Sequence, residues 1–292
     1  MKLTHIAQRT GRLSTFLKNE LGLSTGLMNR LKWQEKLFVN DIPRHADYPV
    51  NIGDKITAVL DDPLPDYPPE DLPLEILYED EHLLAVDKPA GMLIHPSAHR
   101  NTGTLANRVI AYYQKTGQNC AFHPITRLDR DTYGIVLLAK NAHIHMLLNK
   151  QHAEGKLQKT YHALVFGAPE SGCGIIDAPI ARCPLPSLLR QVHPEGKPAV
   201  TQYQILEKQE LYTKLALSPI TGRTHQLRLH CLHAGFPILG DPQYTTDQAR
   251  EFSDQLGLKS QILCAYSLEF FHPITQTPLF LSSLQDADIR NI

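Results

Sequence analysis

Little in this chain points to metal, redox or phosphate chemistry. The five cysteines (Cys120, Cys173, Cys183, Cys231 and Cys264) are scattered and odd in number, and no two have CxxC spacing. That leaves a zinc site, a dithiol or a disulfide framework without support, and a reducing interior fits best. There is no G-x-G-x-x-G turn, no phosphate loop, no HExxH helix, and no G-x-S-x-G elbow at Ser14, Ser97 or Ser218. His225, His230 and His233 share one predicted helix, but no carboxylate or cysteine completes a ligand set, so no metal is expected. No apolar run approaches a membrane span, and the start Met1–His5 lacks the apolar core of a signal peptide. A soluble, cytoplasmic protein with no membrane partner is expected. Net charge is also scarce: 29 basic against 30 acidic side chains leave −1 overall.

That balance conceals a division. Residues 1–60 carry nine basic side chains against five acidic ones, whereas residues 61–81 hold nine acids and no lysine or arginine. From Asp61 to Asp71, four prolines and five carboxylates fall within eleven residues. Such a composition is expected neither to pack nor to pair, and we read 61–73 as an acidic, proline-rich linker. It separates a small N-terminal domain, 1–60, from a larger one, 74–292. With 42% apolar residues, 292 positions suffice for one large core and a small accessory domain.

An amphipathic segment begins at Arg12–Leu17. A second helix is predicted from Ser24 to Gln34, with Ser24 as N-cap and Leu27, Met28 and Leu31 on one face. Leu37–Asn40 and Lys55–Val59 read as short strands around a turn. Two short basic helices followed by a hairpin resemble the alpha-L RNA-binding motif of a small-subunit ribosomal protein. The resemblance implies that Arg12, Arg30, Lys32 and Lys36 face phosphates; the alternative is a small folded cap whose charges are merely solvated.

Beyond the linker, strands are predicted at Leu74–Tyr78, Leu83–Val86, Ile135–Ala139, Thr160–Phe166, Val200–Leu206, Tyr212–Leu217 and Leu263–Phe270. Helices are predicted at Thr104–Lys115, near Ala142–His152 and at Thr224–Ala234. Strands outnumber helices and the crossovers are irregular, which argues against a doubly wound parallel sheet. The expected class is α+β, built on a mixed, mainly antiparallel sheet.

The most informative stretch is Arg127–Gly134. It places Asp129 between Arg127 and Arg130, immediately before the apolar run Ile135–Ala139. Charge at the edge of a core strand is costly unless paired. Asp129 is therefore either a structural ion pair or a reactive carboxylate kept ionised by a cation. Two further polar segments compete for the same site: Lys159–Tyr161, opening an apolar strand, and Thr221–Arg228, a glycine turn entering a helix. In that helix Leu227, Cys231 and Ala234 are expected to form one buried stripe, with Arg228 at its margin short of full burial and Thr224 or Gly222 as cap. Singly, each segment has a structural explanation: an ion pair, a core aromatic, a capped helix.

Together these segments resemble the RluA family of RNA pseudouridine synthases. Asp87–Pro96 resembles that family's opening strand and loop, Arg127–Gly134 its catalytic motif, Lys159–Tyr161 its aromatic motif and Gly222–Arg228 its third motif; Gly240–Tyr244 matches the segment that follows. The resemblance spans residues 74–280 and implies a pseudouridine synthase fold, a base-flipping isomerase without cofactor, and RNA as partner, with ribosomal RNA favoured and transfer RNA possible. A monomer is expected. By the family's pattern Asp129 is the catalytic carboxylate, paired with Arg228, and Tyr161 stacks on the flipped uracil. Arg127 takes the place of the base that flips out, Leu227 packs beside the ring, and Arg223 with Arg127 contacts substrate. The reaction needs one carboxylate near the anomeric carbon, as nucleophile on the sugar or as base on the 2′-proton; both need Asp129 ionised, which a guanidinium favours. A non-catalytic RNA-binding or ribosome-assembly factor on the same fold is the competing reading. A glycosidase would want a second acid opposite the first, and Asp131 lies too close in sequence.

Two positions depart from the family's usual text. Thr126 stands where a histidine commonly precedes the arginine, and Tyr133 where a serine commonly precedes the glycine. A tyrosine at position 133 is expected to narrow the mouth of the site and so bear on which RNA is accepted.

Overall fold

The computed structural model describes residues 2–60, 67–97, 100–187 and 189–287. Residues 2–60 have a core of their own. The helix Leu13–Asn19 buries Leu13, Phe16 and Leu17, and the helix Thr25–Trp33 buries Leu31, with Leu27 and Met28 partly covered beside it. Each such side chain contributes about 1.5–3 kcal/mol when removed from water. Ser24 caps the second helix as expected, its side chain accepting from the Leu27 N–H at 3.2 Å. Below the helices, Leu37–Val39 pairs antiparallel with Lys55–Val59. A strand that sequence patterning did not reveal, Lys2–Ile6, pairs with the other edge of Lys55–Val59.

Half of the predicted linker, 61–66, lies outside the described residues. The remainder, 67–73, departs from expectation because it both packs and pairs. Pro68 O accepts from Asn107 Nδ2 at 2.7 Å, the Glu70 carboxylate accepts the Gly103 N–H at 2.7 Å, and Pro73 O accepts from Arg108 at 2.9 Å. An extended proline-rich backbone leaves its carbonyls free to accept, and the helix Leu105–Lys115 supplies the donors.

The larger part is built on a ten-stranded sheet. Its path runs Cys173–Asp177, Val200–Lys208, Tyr212–Pro219, Gln158–Phe166, Leu263–Phe271, Tyr133–Ala139, Leu83–Lys88, Ile76–Glu79. Two short strands branch off: Pro278–Ser282 beside Leu263–Phe271, and His123–Pro124 beside Tyr133–Ala139. Every pairing is antiparallel except one. Tyr133–Ala139 runs parallel to Leu263–Phe271 over Tyr133↔Cys264 and Gly134↔Ala265. The expected mixed, mainly antiparallel α+β architecture is what the chain adopts.

One row across the sheet sets the site. Gly134, Ala265, Tyr161 and Leu217 are consecutive Cα partners on four strands. The backbones crowd there: Gly134 has φ +103°, and a Cβ on it would fall inside the Ala265 carbonyl. Only glycine meets both demands. Beside it, the pairing of Gln158–Phe166 with Leu263–Phe271 shifts register between Thr160 and Tyr161. Such a bulge re-aims the following side chain.

Alternation then separates the two faces. Val136, Leu138, Tyr161, Ala163, Leu263 and Ala265 belong to clusters on the face covered by the helices Leu105–Lys115 and Gln226–His233. Tyr133, Leu164 and Cys264 belong to a cluster on the other face.

Candidate active site

The loop at the start of Arg127–Gly134 leaves Asp129 partly exposed, with 29% of its side chain accessible, at the front of the sheet. Arg228 Nη1 donates to Asp129 Oδ2 at 3.2 Å. The expected pair is therefore present, but it is the lesser of Arg228's ion pairs. Arg228 Nε and Nη2 grip both oxygens of Asp241 at 2.6 and 2.8 Å, and Nη2 also donates to Gln243 Oε1 at 3.0 Å. The Asp241 carboxylate has no solvent exposure and accepts the Gln243 and Tyr244 N–H groups as well, at 2.9 and 3.0 Å. A bidentate guanidinium–carboxylate pair fixes orientation along with charge. Arg228 is thus a rigid arm whose free end meets Asp129, and it is buried, at 5% exposure, rather than marginal.

The helix carrying Arg228 starts later than expected, at Gln226. Neither Thr224 nor Gly222 caps it. His225 holds the N-cap position in the left-handed region, φ 56°, and makes no cap hydrogen bond from its side chain. The loop before it is tied down by the buried amide of Gln226, which sequence reasoning missed. Its Oε1 accepts from Thr221 Oγ1 at 2.9 Å and from the Arg223 N–H at 3.0 Å, while Nε2 donates to Val200 O and Thr201 Oγ1, both at 3.0 Å. Leu227 and Cys231 form the buried stripe; Ala234, the C-cap, is exposed and is not part of it. Among the three histidines, His230 is buried with each ring nitrogen already engaged, by Thr201 Oγ1 at 2.9 Å and Ala178 O at 3.0 Å. No group of three metal-ligating side chains with suitable geometry occurs among the described residues.

Tyr161 packs with Leu227, Ala163 and Leu217 on one side and reaches the Leu128–Ala265 cluster on the other. Its hydroxyl is pushed well above the ordinary phenol value by burial, with the charge of Asp129 adding to the effect. Tyr161 is therefore a neutral aromatic beside the carboxylate. Arg127 is exposed on the same loop. Arg130 turns away and grips Asp131 at 2.9 and 2.8 Å, so the local arginine is not the partner of Asp129.

Lys88 is a second missed residue. Fully buried, its ammonium donates to three carbonyls, Pro89 O at 3.0 Å, Met92 O at 2.9 Å and Arg130 O at 3.0 Å. The last of these is one residue beyond Asp129, so Lys88 pins the loop that carries Asp129. Burial pushes Lys88 down to about 8, against the charges of Asp131 and Asp129.

Not every predicted site residue joins this group. Arg223 is exposed, donating to Pro198 O at 3.0 Å. Arg12, Arg30 and Lys32 sit at the two N-terminal helices, on the part of the chain that has its own core. Thr126 is buried and accepts the Leu137 N–H at 3.0 Å, a purely local role. Tyr133 does not line the mouth of the site: it faces the opposite side of the sheet, and its hydroxyl donates to Asp286 O at 3.2 Å. Alternation explains this, because a residue adjacent to Gly134 on the strand points away from the front face.

A carboxylate held by a locked guanidinium, a neutral aromatic at its side and a pinned loop are brought together at the front of the sheet. A family profile described as RNA pseudouridylate synthase matches residues 82–233. The ribosomal large subunit pseudouridine synthase D of Xanthomonas campestris is 37% identical over 77% of this chain and 70% of its own. The ribosomal large subunit pseudouridine synthase C of Vibrio parahaemolyticus is 33% identical over 96% of this chain and 91% of its own. In fold, the chain matches human RNA Pseudouridylate Synthase Domain Containing 1, with TM-score 0.61 and 24% identity, over 75% of this chain and 86% of that one. The chain belongs to the RNA pseudouridylate synthase family, of the RluA type, and is an isomerase that acts on RNA.

Proposed function

We propose that the chain converts uridine to pseudouridine in ribosomal RNA of the large subunit, with Asp129 as the reacting carboxylate. The arrangement that carries the reading is Asp129 on the free end of Arg228, itself clamped by Asp241, beside the neutral ring of Tyr161. Asp129 acts at the ribose, either bonding to the anomeric carbon or taking the 2′-hydrogen. Arg228 holds it aimed. Extruding the target base costs a few kcal/mol, and stacking on Tyr161 returns about 1–3 kcal/mol of it. Arg127, exposed at the loop tip, fills the gap left in the RNA, and Leu227 and Arg223 border the bound base and strand.

Residues 1–60 act as an RNA-binding domain, with Arg12, Arg30 and Lys32 on phosphates, which positions the RNA without reading its sequence. Ribosomal RNA is favoured over transfer RNA because relatives covering most of the chain are named for the large ribosomal subunit. That substrate also implies action in the cytoplasm. A single chain suffices, since Asp129, Tyr161, Arg228 and Asp241 all come from one polypeptide.

Asp129→Asn tests the reading. It is expected to abolish pseudouridine formation while leaving the melting temperature and RNA affinity unchanged; turnover at the parent rate would exclude Asp129. Mapping pseudouridines in RNA from cells with and without this gene tests the substrate. Losses confined to transfer RNA would overturn the ribosomal assignment and leave the chemistry standing.

A further inference from the structure

Five residues other than glycine have positive φ among those described: Glu35, Asn40, Asp41, His225 and Gln276. Four are exposed. His225 is the exception, with its side chain 20% accessible, and it lies beside the catalytic carboxylate. A left-handed conformation at such a residue costs about 1–3 kcal/mol and persists only where surrounding contacts impose it. Helix capping does not account for it, since the His225 side chain makes no bond to the helix it begins.

The neighbours favour one tautomer. The Asp129 carboxylate, 4.0 Å from Nε2, can only accept, which places the ring proton on Nε2 and leaves Nδ1 to accept from Tyr244 Oη at 2.9 Å, an oxygen that itself takes the Arg190 N–H at 2.9 Å. Nε2 faces Asp129 Oδ2 at 4.0 Å, the same oxygen that Arg228 Nη1 reaches at 3.2 Å. No described residue donates to Oδ1. The carboxylate thus has one oxygen flanked by two donors and one left free.

We propose that His225 is a positioning residue for the isomerisation: with Arg228 it holds Oδ2 of Asp129, so that Oδ1 alone is presented to the ribose of the target uridine. His225 keeps its proton throughout: Oδ1 either bonds to the anomeric carbon as the carbon–nitrogen glycosidic bond breaks and its electron pair leaves with the uracil, or takes the 2′-proton while the C–H pair forms the sugar double bond that expels the uracil. Catalytic hydrogen bonds are long before substrate binds and tighten in the complex, which closes the 4.0 Å gap. The charged groups facing the ring are Asp129 from the catalytic loop, Arg228 from its own helix, Asp241 from the following loop and Arg190 from the strand Arg190–Val192. Burial lowers the imidazole's proton affinity and keeps Nδ1 available to Tyr244.

The test is single-turnover pseudouridine formation on total RNA from cells lacking this gene, which contains the target whatever its class. His225→Asn retains a residue that tolerates left-handed backbone, but its short amide cannot reach Asp129. Melting temperature and RNA affinity should stay at parent values and the rate constant should fall about 100-fold, the size expected of a misaimed reacting group. Tyr244→Phe keeps the packing and frees the tautomer, and should lower the rate about tenfold. A His225→Asn enzyme with the parent rate, or one losing affinity and rate by the same factor, overturns the proposal. Should His225→Asn fail to fold, an unchanged rate in Tyr244→Phe overturns it.

Discussion

The Tyr133 hydroxyl donates to the backbone carbonyl of Asp286 at 3.2 Å, on the face of the sheet away from Asp129. The carboxylate of that aspartate is held in turn by His162 Nδ1 at 2.7 Å and Lys214 Nζ at 2.6 Å. Nearby, buried Asp87 accepts from Ser283 Oγ and from the Leu284 N–H at 2.9 and 2.7 Å. The residue that looked like a gatekeeper in the sequence is a fastening for the segment Ser283–Ala287.

Tyr133→Phe should therefore leave the choice of RNA and the turnover rate at parent values. It should cost about 1 kcal/mol of stability, the net worth of one hydrogen bond. Competing two RNA substrates against parent and variant checks the first point, and urea unfolding the second; a changed preference would return Tyr133 to the substrate side.

Asp241→Asn should behave differently from Asp129→Asn. Removing the charge of Asp241 strands the buried guanidinium of Arg228, a loss of about 3–5 kcal/mol, and activity should fall because the arm no longer aims. Calorimetry beside activity assays separates the two. Equal melting temperatures for both variants would refute the clamp.

Lys88 gives stability and activity opposite pH trends. Its folded-state value of about 8 lies below the unfolded value of 10.5, so between those limits the unfolded chain binds more protons. Stability from this group accordingly rises with pH across that window, as the buried charge is relieved. Lys159, also pushed down to about 8 by burial, adds in the same direction. Activity should decline over the same range, since a neutral amine has only two protons for three carbonyls. Parallel melting and rate profiles from pH 7 to about 10 test this; in Lys88→Met the rise in stability should shrink.

Gly134→Ala should lower stability by more than about 2 kcal/mol, combining a positive φ with a backbone clash at Ala265. Because the clash lies in the row that carries Tyr161, activity should drop further than stability alone explains. A soluble variant with parental melting temperature would show that the parallel pairing is looser than described.

Much of this was legible from residue order alone. An unbroken apolar run marks the strand through Ile135–Ala139, buried on both faces, and apolar-rich segments mark those through Thr160–Phe166 and Tyr212–Leu217, each at least half buried. Asp129, Tyr161 and Arg228 stand out because a charge or a phenol next to such strands needs a reason. Lys2–Ile6 escaped because its Leu3 and His5 are only partly covered and leave no strong pattern. The helix Asp247–Gln255 escaped because Ala249 and Ser253 are its buried residues, too small and polar to show a stripe. Asp241, Gln226 and Lys88 share another difficulty. Their roles are set by which carbonyls and guanidinium the fold brings to them, and a buried polar residue looks in sequence like an exposed one.

The central row of the sheet also bears on how the protein is made. Leu263–Phe271 enters between Gln158–Phe166 and Tyr133–Ala139, two strands synthesised more than a hundred residues earlier. Until it leaves the ribosome, both flanking strands present unpaired inner edges, the condition under which chains add strands from one another. Such distant pairings form slowly, and Tyr161 has nothing beside it at the level of Ala265. The nascent chain is therefore inactive and adhesive until Leu263–Phe271 emerges, when one strand closes the sheet and completes the pocket together.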